Sequence, residues 1–96
     1  MTAFSAGDVP RLPRGVRMRF DAVRNAHILL APERTFDLDE IAVAVLELVD
    51  GTRSIGDIAT VLAARYDAEK ADIEADVLGM LDELQAKRVV ERAAAA

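Results

Sequence analysis

The 96-residue chain contains no cysteine and no tryptophan, only 4% aromatic residues, a single histidine, three prolines and five glycines. Without cysteine there is no disulfide, no thiolate ligand for a metal and no thiol nucleophile. The scarcity of aromatics means a core built from Ile, Leu, Val and Ala, which 52% hydrophobic content can supply. No apolar run approaches the ~18 residues of a membrane-spanning helix. The opening MTAFSAGDVP has no continuous apolar stretch of the kind a secretory signal carries. A chain of this length supports one small domain, expected to be cytoplasmic and to make no membrane contact.

Catalytic chemistry is equally thinly represented. His27 has no Ser, Cys or second His as an obvious partner, and catalysis by histidine needs one within hydrogen-bond reach, so a structural role is expected for it. Asp67, Glu69, Asp72, Glu74 and Asp76 lack the central glycine and terminal glutamate of a calcium loop. They read as a solvated helix face, with Glu69 and Asp72 favourable near a helix N-terminus. Gly51 and Gly56 are followed by no Gly-Lys-Ser/Thr and form no phosphate loop. No catalytic constellation, metal site or cofactor site is expected.

The net charge of −5 hides an asymmetry. Residues 1–34 carry six arginines against three acids, or +3, and residues 35–96 carry six cations against fourteen acids, or −8. The basic part is the N-terminal third; the strongly acidic part is the one that reads as helical.

That helical part is organised around FDLDEIAVAVLELVDGTRSIGDIA, residues 36–59. Leu38, Ile41, Ala42, Val45, Leu46, Leu48 and Val49 recur at three- and four-residue steps, which predicts an amphipathic helix over about 39–49. Asp50-Gly51 stops it, glycine being the residue that enters the left-handed region without steric cost. Ser54 with Asp57 predicts a capping box that opens a second helix over 55–65, with Ile58, Val61 and Leu62 inward. Tyr66-Asp67 breaks it. A third helix is predicted from about 69 to 87, with Ile73, Val77, Met80, Leu81 and Leu84 on a core stripe.

Upstream, residues 1–13 read as a flexible N-terminal arm. Val16, Met18 and Phe20 then alternate with Arg17, Arg19 and Asp21, the period of a half-buried strand. A polar turn at 21–26 leads to a second strand, His27-Ile28-Leu29-Leu30-Ala31, ended or bulged by Pro32. Residues 34–38 make a third strand, with Phe36 and Leu38 on one side. Val89-Val90 could add a strand residue or two, and residues 91–96 read as a C-terminal tail. The fold class is therefore α+β: a three-stranded N-terminal antiparallel sheet followed by three helices, of winged helix-turn-helix type, over residues 14–90.

Two functional readings follow from this architecture. A winged-helix regulator would bind DNA, but affinity for DNA comes largely from Lys and Arg neutralising phosphates, and the helical segment is acidic. The third helix also carries Ala71, Ala75 and Leu78 outside its core stripe, more apolar surface than one contact needs. Together with the free edge of a three-stranded sheet, that surface suits an extended peptide added as a strand, or a contact between copies of the chain. A monomer or weak homodimer is expected.

Gly15-Val16-Arg17-Met18, the run His27-Ile28-Leu29-Leu30-Ala31-Pro32-Glu33, and Leu38 through Ala42 leading to Val45-Leu46-Glu47-Leu48-Val49-Asp50-Gly51 together resemble the PqqD family of pyrroloquinoline quinone biosynthesis. The resemblance runs over residues 14–90. It implies a peptide chaperone without enzymatic activity, which binds the precursor peptide PqqA and presents it to the radical-SAM enzyme PqqE. It also implies a RiPP recognition element, holding the peptide beside the third strand and against the third helix. On this chain the strand wall would be Arg34, Thr35, Phe36, Asp37 and Leu38. By fold analogy, Ile73, Asp76, Val77 and Met80 would form the helix wall. Some members of the family are fused to other pathway enzymes; a single domain is expected here.

Overall fold

A computed structural model describes residues 3–93 of the chain. Its elements run β1 (Pro10–Arg11), β2 (Arg17–Asp21), β3 (Ala26–Ala31), β4 (Arg34–Asp37), α1 (Glu40–Leu46), α2 (Ile55–Tyr66), α3 (Lys70–Ala86) and β5 (Glu91–Arg92). The architecture is α+β, with β2, β3 and β4 forming the three-stranded antiparallel sheet in that order and the three helices following it.

Local chemistry sets both sheet turns. Asp21 Oδ1 accepts from the amides of Val23 and Arg24 at 3.0 and 3.3 Å, an Asx-type closure, and Asn25 completes the turn at φ 52°. Between β3 and β4 the register Ala31↔Arg34 leaves a two-residue loop, Pro32-Glu33. Proline holds the first φ negative while Glu33 takes φ 62°, the signs of a type II turn. Pro32 thus ends its strand, where its missing N–H costs no ladder bond.

The helix signals act where they stand in the sequence. Asp39 Oδ1 caps α1 by accepting from Ala42 N at 2.8 Å, and Ser54 and Asp57 form a reciprocal capping box at the start of α2. The helical pattern over 39–49 resolves into α1 as far as Leu46 and then two tighter turns. The amides of Leu48 and Val49 reach back only three residues, to Val45 and Leu46, and this rotation drives both side chains into the core. Gly51 follows at φ +80°, while Asp50 supplies the hydrogen bonds the helix no longer makes. In α2, Ile55, Ile58, Ala59 and Leu62 are buried on one face. Val61, expected inward, lies one residue outside that stripe and is 36% exposed.

The core joins Leu29 of the central strand to Val45, Leu46, Leu48 and Val49, then to Ile55, Ile58 and Leu62, and to Val77, Leu81 and Leu84 of α3. It also contains Phe4, Val89 and Val90, which the sequence pattern placed in an arm and near a tail. Residues 3–13 are docked on the domain. The Phe4 side chain is buried and its amide donates to Asp82 Oδ1 at 2.8 Å. Asp8 pairs with Arg92 at 3.0 Å, and β1 pairs with β5 in a separate two-stranded sheet. The last strand thus lies at 91–92, one step beyond Val89-Val90, because those two valines turn inward at a bend that starts with Arg88 at φ 63°. Of the expected arm and tail, residues 1–2 and 94–96 lie outside the described residues.

Candidate functional site

The edge strand β4 hydrogen-bonds to β3 on one side only. With Ala31 opposite Arg34 across a two-residue loop, bonded and non-bonded pairs alternate along the hairpin. Leu38 N donating to His27 O at 3.1 Å extends the same alternation by one pair. Arg34, Phe36 and Leu38 therefore direct their backbone groups at β3. Thr35 and Asp37 turn their N–H and C=O outward, to the free edge.

The side chains follow the pleat. Phe36 and Leu38 are half-buried and pack against the core, whereas Thr35 and Asp37 are exposed on the opposite face, Asp37 paired to Arg24 at 2.7 Å. Arg34 is tied to the far end of α3: its Nη2 donates to Lys87 O at 2.8 Å. Arg34 and Lys87 also sit over the Phe36 ring, at 5.4 and 5.6 Å from its centroid.

Beyond the other end of β4 a groove of about 460 Å3 opens between the helices. One wall is α3, through Ile73, Asp76, Val77 and Met80. The other is α1, through Ile41, Ala42 and Val45, and Leu62 and Tyr66 of α2 together with the exposed Asp39 complete the lining. Its lining is almost wholly apolar. Ile41 is 66% exposed and Tyr66 50%, a large apolar area left uncovered in a domain this small. The polar residues in its lining are Asp39, Asp76 and Tyr66, and among the described residues no Lys or Arg lines it.

All four helix residues predicted from the sequence thus share one wall of one groove. The five strand residues, Arg34, Thr35, Phe36, Asp37 and Leu38, lie along the neighbouring strand rather than in its lining. The α1 wall was missed, since Ile41 and Ala42 read from the sequence only as part of a core stripe. Their position at the first turn, directly after the edge strand, was the available signal. His27 stacks edge-on against Phe20, with centroids 5.1 Å apart and an interplanar angle of 68°. Among the described residues no three His, Cys, Asp or Glu side chains gather in a metal-binding group. Nor, among the described residues, is any helix long and apolar enough to cross a membrane.

A family model described as coenzyme PQQ synthesis protein D (PqqD) matches residues 26–90, from the start of β3 to the bend after α3. This chain belongs to the PqqD family. It is 67% identical over 91 residues to the bifunctional coenzyme PQQ synthesis protein C/D of Methylorubrum extorquens, a match that covers 95% of this chain and 24% of that protein. The chain thus spans about a quarter of the length of that bifunctional relative. It is also 48% identical over 90 residues to a PqqA binding protein of Xanthomonas oryzae pv. oryzae, covering 94% of this chain and 98% of that one. Among solved structures it is similar to the PqqD truncation of Methylobacterium extorquens PqqCD determined by NMR, at a TM-score of 0.83 and 67% identity. That match covers 95% of this chain and 97% of the other, which is described as a functional, stand-alone RiPP recognition element.

Proposed function

We propose that this PqqD-family chain is a non-catalytic adaptor that binds the precursor peptide PqqA and presents it to the radical-SAM enzyme PqqE in pyrroloquinoline quinone biosynthesis. The observation that carries this reading is the open apolar groove between α1 and α3, which begins just past the end of β4, an edge strand with one side unpaired. An edge alone is a weak site: each backbone hydrogen bond contributes about 0.5–1.5 kcal/mol net, and Thr35 and Asp37 together offer four such groups. Apolar contacts must supply the rest, and the groove provides them. The names of the Xanthomonas and Methylobacterium relatives support the same reading.

In the proposed complex the peptide adds a strand outside β4, along Arg34, Thr35, Phe36, Asp37 and Leu38. Its alternate side chains enter the groove against Ile73, Asp76, Val77 and Met80. The adaptor does no bond chemistry; it fixes an otherwise mobile peptide in one extended conformation, lowering the entropic cost of meeting the enzyme.

Titration of isotope-labelled protein with PqqA peptide is expected to shift the amides of Thr35 and Asp37 and those around Val77. Val77→Asp puts a charge on the groove wall and is expected to weaken binding about tenfold or more, equivalent to ~1.4 kcal/mol or above. Circular dichroism identifies a variant that has simply unfolded, in which case Ile73→Asp, at the half-buried rim, serves instead. Unshifted amides on β4, or a folded groove variant that binds normally, overturn the site. Co-migration of peptide, adaptor and PqqE tests the presenting step.

A further inference from the structure

The peptide channel carries opposite charges at its two ends. Where β4 begins, the Arg34 guanidinium and the Lys87 ammonium lie over the Phe36 ring, and the Arg34–Lys87 hydrogen bond closes the gap between strand and α3. Arg34 has spent one N–H on this bond and is in no ion pair among the described residues. Lys87 is shared with Glu83 at 3.5 Å. Where β4 ends, the groove lining carries Asp39 and Asp76 and, among the described residues, no cation. One oxygen of Asp39 serves the α1 cap, and Asp76 has no hydrogen-bond or ion-pair partner among the described residues. Arg34 and Asp39 are five residues apart, about 16 Å along an extended chain at ~3.3 Å per residue.

We propose that this channel selects its ligand by charge polarity. The preferred peptide is extended, places an apolar side chain in the groove, and carries a Lys or Arg beside Asp39 and Asp76. About five residues away, it carries an Asp or Glu beside Arg34 and Lys87. The inference rests on the adaptor reading above and adds to it a rule for which peptides are accepted and in which direction they lie. The backbone edge recognises any extended chain and the groove any bulky apolar residue; the two charged ends distinguish a peptide from its reverse. A peptide bound the wrong way round would set carboxylate against carboxylate and cation against cation, a mismatch that suppresses wrong partners more than it strengthens the right one.

The test is a double-mutant cycle with PqqA. Affinity is measured for the parent protein and Asp76→Asn, each with the parent peptide and with a peptide whose Lys and Arg are replaced by Gln. At low salt each single change is expected to weaken binding about 2- to 5-fold, the range for an exposed ion pair. The two changes together should cost little more than either one. The coupling should fade at ~0.5 M salt, where screening reaches only a few ångströms. A second cycle pairs Arg34→Gln with a peptide whose Asp and Glu are amidated, and the same pattern is expected. If the parent protein binds PqqA in the groove but the single changes are silent or simply multiply, the polarity rule is wrong and the adaptor reading stands. If PqqA does not bind, or binds Val77→Asp as well as the parent protein, the adaptor reading itself is overturned.

Discussion

Asp50 illustrates how one exposed side chain closes a fold. The helical run ends in a Gly51 turn, where several amides would otherwise be unpaired. The Asp50 carboxylate takes them up, accepting from Arg53 N at 3.0 Å, from Thr52 N at 3.0 Å and from Thr52 Oγ1 at 2.9 Å, with the Arg53 guanidinium at 2.9 Å from its second oxygen. Hydrogen bonds from those two amides, and then from the threonine hydroxyl, lower its pKa from 3.8 to about 2. A depressed carboxylate stabilises the fold while it is ionised. Its contribution is complete above the unfolded value near 3.8 and is lost as pH falls through about 2. Asp50→Asn keeps an acceptor oxygen and removes the titration. Its stability curve between pH 4 and 2 is expected to be shallower than that of the parent, as read by urea unfolding across that range; parallel curves would contradict the assignment. Asp8, lowered chiefly by its hydrogen bond from Arg92, acts in the same sense.

At the scale of the element, α3 is the least conventional helix in the chain. Its N-cap, Glu69, makes no side-chain capping bond, Gly79 interrupts its middle, and Val77, Leu81 and Leu84 carry its burial. Ile73 and Met80 divide their contacts between the core and the open groove. Tertiary packing rather than propensity therefore holds this helix in place. A Cβ added at Gly79 would meet nothing within 4 Å, so Gly79→Ala is expected to stabilise the protein by about 0.5–1 kcal/mol, visible as a raised thermal midpoint. Loss of stability would mean that the glycine has a contact or a bend to serve. The sequence showed where this helix lies and which side is core. It did not show what faces Ile73 and Met80, because periodicity reports that a residue is apolar and is blind to whether its neighbour is a helix, a strand or a ligand.

For the whole molecule, the terminal clasp decides what counts as the domain. Residues 3–13 share no periodic pattern, yet Phe4 fills the core, its ring lies beneath Arg92 at 5.3 Å, and β1 pairs with β5 some eighty residues away. Phe4→Ala is expected to destabilise the protein by about 3 kcal/mol or more, within the range for a buried aromatic. Calorimetry on the variant separates this from a free arm, whose removal would leave the transition unmoved. The residue pattern alone determined the three strands of the main sheet, the three helices with the Ser54–Asp57 capping box, the acidic character of the helical half and the absence of thiol chemistry. All of these rest on local rules of spacing, capping and charge. The tertiary structure decided the docking of residues 3–13 against the core and β5, the tight turns that bury Leu48 and Val49, and the α1 wall opposite Ile73, Asp76, Val77 and Met80. It also decided the opposition of Arg34 and Lys87 to Asp39 and Asp76. These features join residues distant in the chain, and nothing within a short window specifies them. Contacts of that kind form only when the core closes and brings the ends of separate elements together.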